Sequence, residues 1–205
     1  MKLAMFGATG ATGRHLVEQA LQAGHEVRAL VRNADAWSGA HPRLQIIAGT
    51  FAQPAIVGDV VRGADAVISV LGPRKGDASA VCTGGMRSIV QAMNAAGVQR
   101  LVALSAYGAS ETRNASLFIR FVRKLIAAKM RDKDGMEALV RDSALDWTLV
   151  RPPMLTDGAR RGGYRAGTGL MPGIAGRLSR ADLAAFMLQE AGEGSYIRQA
   201  VMVSQ

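Results

Sequence analysis

KLAMFGATGATGRHLVEQALQAGHEVRALVRN, residues 2–33, is the stretch on which the fold turns. Residues 2–6 and 26–31 are apolar runs of strand length, and between them the chain reads as a helix to about Ala23. Glycines fall at Gly7, Gly10 and Gly13, directly after the first run and at the start of the helix. A strand that bends sharply into a helix needs a residue free of Cβ constraints at the bend. A second glycine lets the backbone approach a pyrophosphate, and a third lets helix and strand pack closely. The N–H groups of the first helical turn then face the phosphates, aided by the positive end of the helix dipole. Gly7, Thr9, Gly10, Ala11, Thr12 and Gly13 are therefore expected to cradle a dinucleotide, with the two threonines adding hydroxyl donors.

The second strand carries the next decision. Its carboxyl end lies beside the adenosine ribose in such an architecture, where an acid binds the free 2′-hydroxyl of NAD and an arginine pairs with the 2′-phosphate of NADP. Arg32 stands there. NADP (as NADPH) is the expected cofactor, with NAD the alternative.

Outward from this unit, strand-like runs alternate with helical patterns: LQIIAG, ADAVISVLG, RLVALS and DWTLVR are strands, and residues 79–96, 115–142 and 181–191 are helices. The first of those helices ends at Gly97, the second near Asp142 and the third at Gly192, and a closing strand is expected in AVMVS. Such alternation predicts an α/β fold, a single Rossmann-type doubly wound parallel sheet with helices on both faces, formed by residues 1–205 as one domain. Residues 156–173 are glycine-rich and read as a long loop with a short strand pair, a small irregular substrate-side region near the C-terminus. Ligands in open α/β sheets sit at the carboxyl ends of the strands. That rule collects Gly7, Arg32, Thr50, Gly72 with Arg74, Ser105 with Tyr107, and Arg151 with Pro152 and Pro153. Gly72 is either a close backbone approach to the cofactor or simple turn chemistry before Pro73.

Composition narrows the class. Of 205 residues, 49% are apolar and 20% charged, as in an ordinary globular chain. No apolar run approaches the length of a membrane span, so a cytoplasmic protein with no membrane partner is expected. Cys82 is the only cysteine, and His15, His25 and His41 are scattered, which disfavours a metal centre. The formal charge of +9 is concentrated in 113–133, where seven basic residues face one acid. The same stretch holds Leu117, Phe118, Phe121, Val122, Leu125 and Ile126 at helical spacing, predicting a solvated basic face over a buried apolar one. Nucleic acid is not the expected partner.

GATGATG, VRN, VISVLGPR, LVALSAYGAS and SALDWTLVRPPMLTDG together resemble the NmrA-like atypical short-chain dehydrogenases/reductases, nearest the biliverdin reductase B/flavin reductase type. The likeness runs over nearly the whole chain. It implies cofactor contacts at Gly7, Gly10, Thr12, Gly13, Arg32, Leu71, Gly72 and Arg74, and a nicotinamide neighbourhood at Ser105, Lys133, Pro152 and Pro153. Typical short-chain dehydrogenases pass a proton through a tyrosine and a lysine four residues later. Here Lys133 matches the lysine, while Lys129 stands at the tyrosine position and Thr50 at a position usually acidic. The positions of the family's substrate-side histidines are held by Lys133 and Met154.

The activity so implied is an NAD(P)H-dependent reductase passing a hydride to a flavin, quinone or similar flat conjugated acceptor. Such an acceptor needs positioning more than a protein acid. Ser105 and Lys133 are the expected catalytic pair, with Tyr107, Pro153 and Met154 as the substrate wall. Ser105 reads alternatively as a strand-end hydroxyl satisfying local backbone, and Lys133 as the partner of Glu137 one turn on. The partner is then a small-molecule acceptor, and the chain a monomer or homodimer. The competing class is a non-catalytic NAD(P)-binding regulator.

Overall fold

A computed structural model describes residues 1–37, 39–73, 80–171 and 176–205. The chain runs β1 (Lys2–Phe6), α1 (Ala11–Gln22), β2 (Glu26–Val31), β3 (Leu44–Ala48), α2 (Pro54–Val61), β4 (Ala66–Ser69), α3 (Val81–Ala96) and β5 (Arg100–Leu104). It continues with α4 (Leu117–Leu125), α5 (Ala127–Arg141), β6 (Asp146–Arg151), β7 (Met154–Thr156), β8 (Arg165–Gly167), β9 (Arg177–Ser179), α6 (Arg180–Glu193) and β10 (Gln199–Ser204). The main sheet has the order β3-β2-β1-β4-β5-β6-β10-β8, parallel except for β8, which runs against β10. This is the expected doubly wound α/β sheet. The strand order reverses between β1 and β4, so a crevice opens at their carboxyl ends.

Strand side chains alternate between two cores. Leu3, Met5, Val27, Ile68 and Val102 pack on one face with α1 and α6, while Ala4, Phe6, Leu30, Val67 and Leu101 pack on the other with α2, α3 and α5. Burial on both faces is why these strands are apolar without polar alternation.

Four expectations need correction or detail. Residues 54–61 form a further helix, α2, beyond those expected. Three valines and Gly58 are poor helix formers, and burial of Val57, Val60 and Val61 against the sheet overrides that weak local preference. The helix expected over 115–142 is two helices, divided at Ile126 (φ −117°, ψ 36°). A straight helix would hold Arg123 and Asp134 about 16 Å apart along its axis. The break brings their side chains to 2.7 Å. The last helix runs on to Glu193 and is capped in the left-handed conformation by Gly194 rather than ending at Gly192.

The apolar face expected to be buried in 113–133 points outward. Leu117, Phe118, Phe121 and Leu125 are 79%, 52%, 60% and 68% exposed, and Ile126 is also exposed. Only Ile119, Val122 and Arg123 of α4 turn toward the body of the protein. The 156–173 segment contains β8, and Asp182 at the start of α6 holds it by accepting the N–H groups of Arg161 (3.0 Å) and Gly162 (2.9 Å). β7 pairs with β9, and of that pair only Thr156 falls within the segment.

Candidate functional site

β1 ends at Phe6 and the chain bends at Gly7, where φ is +89°. A Cβ at Gly7 would lie 2.8 Å from the Val70 carbonyl oxygen of the neighbouring chain segment, so both dihedral and space demand glycine. At Gly13 a Cβ would lie 2.1 Å from the Gly7 carbonyl oxygen, which is the close helix–strand contact expected of the third glycine. Gly10 caps α1 with no side-chain hydrogen bond. The N–H groups of Ala11, Thr12 and Gly13 thus begin a helix without a side-chain acceptor, just beyond the Gly7–Gly10 bend; Thr12 and Gly13 are buried. Those donors and the dipole behind them are the chemistry a pyrophosphate requires.

A cleft of about 180 Å³ continues from this bend, lined by Gly7, Thr9, Gly10, Arg32, Thr50 and Gly72 on its polar side. Leu30, Phe51, Leu71 and Val81 form its apolar wall. A Cβ at Gly72 would meet nothing within 4 Å, so the protein's own packing does not require this glycine. The Thr50 N–H and hydroxyl both donate to Gln53 Oε1, at 2.9 and 3.3 Å, and so belong to the turn into α2. A larger depression of about 390 Å³ sits at the opposite end of β1 and β2, among Lys2, Glu26, Arg28 and Arg43. It lies at the amino-terminal ends of the strands, away from the switch point.

The second half of the site gathers at the carboxyl ends of β5 and β6. Ser105 is buried, and its hydroxyl donates to Glu137 Oε1 at 2.5 Å. Arg151 Nε donates to the same oxygen at 2.8 Å, and its Nη2 bonds Glu137 Oε2. Arg151 also forks onto Glu111, at 2.7 and 2.8 Å. Hydrogen bonding from Arg151 pulls the Glu111 carboxyl down to about 2. Burial works against the Arg151 charge, but Glu137 and Glu111 outweigh it and raise that group. Lys133 does not pair with Glu137. Its Nζ donates to the carbonyls of Leu71 (2.9 Å) and Leu104 (2.6 Å), tying the chain beyond β4 to the end of β5. The Cys82 thiol also stands within hydrogen-bonding reach of this ammonium. Nor is Ser105 occupied with backbone: its hydroxyl belongs to a side-chain network.

Tyr107 is half-buried, its N–H donating to the Pro152 carbonyl at 2.9 Å, and Pro152 is buried beside it. Pro153 is half-buried and Met154 is 52% exposed. The structure therefore brings Gly7, Thr9, Gly10, Arg32, Leu71 and Gly72 to one cleft. Lys133 is joined to that cleft through Leu71, and Ser105, Tyr107 and Pro152 are joined to one another through β6. Arg74 lies outside the described residues.

Sequence reasoning missed Phe51 and Val81, which nothing local marks as cleft walls. It also missed Glu111 and the pairing of Glu137 with Arg151. Asp132 was missed too: its carboxylate accepts the N–H groups of Cys82 (2.9 Å) and Thr83 (2.8 Å) and so closes the N-terminus of α3. Burial would raise that carboxyl, yet these hydrogen bonds hold it below its ordinary value. Burial pushes the Cys82 thiol up to about 11, leaving it protonated and unreactive at neutral pH. Among the described residues no group of His, Cys, Asp and Glu is arranged to hold a metal ion, and no helix is long and apolar enough to cross a membrane.

Residues 7–193 match the NAD(P)H-binding family. The chain belongs to that family. The chain is 31% identical over 147 residues to the (4-alkanoyl-5-oxo-2,5-dihydrofuran-3-yl)methyl phosphate reductase of Streptomyces griseus, an alignment covering 71% of this chain and 45% of that protein. It is 28% identical over 160 residues to the photosystem II assembly factor Ycf39 of Trieres chinensis, covering 74% of this chain and 45% of that one. The chain thus spans about half the length of these curated relatives. Among solved structures, the anaerobilin reductase ChuY of Escherichia coli O157:H7 superimposes with a TM-score of 0.86 at 23% identity, over 99% of this chain and 96% of that one. A protein of Burkholderia pseudomallei described as a putative exported protein gives 0.84 at 27% identity, with both chains fully covered. The NAD(P)H-binding family and the Rossmann-like doubly wound fold agree with the NmrA-like resemblance of the sequence.

Proposed function

We propose that this protein is an NADPH-dependent reductase that passes a hydride to a flavin, quinone or similar flat conjugated acceptor. The observation that carries the reading is the cleft itself: the glycine bend at Gly7–Gly10 and the exposed Arg32 line the same crevice. In this reading the free N–H groups of Ala11, Thr12 and Gly13 hold the pyrophosphate, with Thr9 and Thr12 beside them. Arg32 pairs with the 2′-phosphate, and Leu30, Phe51, Leu71 and Val81 enclose the adenine. Lys133 reaches a ribose hydroxyl, and Gly72 lets the backbone run close to the cofactor.

The bound reduced nicotinamide supplies the hydride. The chain supplies place and dryness: Ser105 and Pro152 border the ring, and Tyr107, Pro153 and Met154 form the wall against which a flat acceptor lies. The Ser105 hydroxyl donates its hydrogen bond to Glu137, so its oxygen offers the site an acceptor and the substrate's proton comes from water. The reductase relative, whose name carries an oxo-dihydrofuran ring, supports this class of substrate.

Purified protein offered a panel of flavins and quinones is expected to oxidise NADPH faster than NADH. Arg32→Asp is expected to reverse or abolish the preference. Equal use of both coenzymes by the unaltered protein overturns the Arg32 assignment.

A second reading has its own support. Ser105 is engaged by Glu137, two donors of Lys133 are engaged by carbonyls, and Lys129 stands at the tyrosine position. Together with the assembly-factor relative, this favours a non-catalytic NAD(P)-binding regulator. Tight dinucleotide binding with no turnover on any acceptor decides for it.

A further inference from the structure

The outward face of α4 has no use in either reading. Projected down the helix, Leu117, Phe121, Leu125 and Phe118 share an arc of about 100°. All four are more than half exposed. The opposite side of the helix is anchored: Ser116 caps its first turn by accepting the Ile119 N–H at 3.1 Å, and Arg123 reaches both the Gly108 carbonyl and Asp134. The helix is therefore fixed to the body with its apolar strip turned to solvent. Isolated exposed leucines are ordinary, but four adjacent large apolar side chains on one nine-residue helix are an interaction surface.

The charge around the strip is of one sign. Arg120 and Lys124 border it, and α4 contains no acid. A groove of about 330 Å³ beside it is lined by Arg113, Arg120, Arg123, Lys124 and Arg131. Among the described residues, Arg120, Lys124, Lys129 and Arg131 are paired with no carboxylate. Cations left unpaired beside an exposed apolar strip match one surface in particular, where anionic headgroups overlie acyl chains.

We propose that α4 docks this protein on the surface of a bilayer containing anionic phospholipid, with Leu117, Phe118, Phe121 and Leu125 entering the headgroup–acyl boundary and the basic groove holding lipid phosphates. A peripheral helix needs no spanning run, so the lack of one in the sequence does not oppose it. A second copy of the chain is the poorer occupant. A two-fold contact through this strip would set Arg120 and Lys124 against their own copies. The four side chains also offer roughly 400 Å², about half of what each partner of a stable dimer contributes.

The full chain is tested by sedimentation with vesicles of phosphatidylglycerol mixed with phosphatidylcholine, against vesicles of phosphatidylcholine alone. Binding to the anionic vesicles, weak binding to the neutral ones, and release at high salt are expected. Phe121→Glu with Leu125→Glu is expected to weaken partitioning by roughly a hundredfold or more. Arg120→Glu with Lys124→Glu is expected to weaken it by at least roughly thirtyfold. All four positions are exposed, so thermal melts of both variants are expected to match the parent. Absence of binding, equal binding to neutral vesicles, or full binding by the folded variants overturns the proposal. So does a concentration-dependent dimer that the apolar variant abolishes while vesicles capture nothing; that result assigns the strip to a second copy. None of these outcomes depends on the dinucleotide site, which calorimetry with NADPH reads separately.

Discussion

A methyl group at Gly13 would sit 2.1 Å from the Gly7 carbonyl oxygen, and retreat is blocked because α1 and β1 are both packed into the core through Leu16, Val17, Leu3 and Met5. Gly13→Ala must therefore move the start of α1 away from the bend. It is expected to fold with a stability loss of about 1–3 kcal/mol. Its affinity for NADPH by calorimetry is expected to fall at least roughly tenfold, because the N–H groups leave the pyrophosphate position. Unchanged affinity in the folded variant would contradict the cradle. This residue was legible in the sequence because its constraint is local: strand, bend and helix lie within a dozen residues. The Ser105 hydroxyl bond to Glu137 was not legible. The two are 32 residues apart, and only the approach of α5 to the end of β5 makes Glu137 the partner of Ser105 and Arg151 instead of Lys133.

Helices meet the same limit. α3 has no cap of its own at Ala80, and Asp132 from α5 supplies one across a sequence gap of 50 residues. Asp132→Ala is expected to destabilise the protein by about 2 kcal/mol, since a buried and a half-buried N–H group lose their acceptor at once. Asp132→Asn, which keeps one acceptor oxygen, is expected to lose less; urea denaturation midpoints of the two variants check the order. The capping signal was invisible because it is carried by a different helix. The break at Ile126 was hidden for a related reason. The apolar period of 115–142 is continuous, and the ion pair that requires the chain to bend, Arg123 with Asp134, is a tertiary contact. The outward turn of Leu117, Phe121 and Leu125 follows from that bend, so a helical period identified an apolar face without saying where it points.

Across the whole molecule, the segment after β5 is bound to the sheet and to α5 through Glu111, which Arg151 and Arg141 both grip. The depressed Glu111 carboxyl, at about 2, fixes the sign of a pH effect. Its stabilising contribution is complete above the unfolded value near 4.5 and is lost as pH falls from there through about 2. Thermal unfolding of the parent and of Glu111→Gln across acid pH is expected to show a gap that is constant above about pH 5 and closes toward pH 2. A gap that widens on acidification would refute the assignment. At this scale the largely parallel sheet with its crossover helices and the glycine bend after β1 were set by the sequence alone, while the order of the strands came from the structure. Apolar runs of strand length, helical periods and glycine spacing act over short distances, and right-handed crossovers leave few ways to assemble them. Which charges neutralise one another, which helix caps which, and which apolar face meets solvent were decided only by tertiary structure. Each of those depends on groups far apart in the chain being driven together by burial of the two cores.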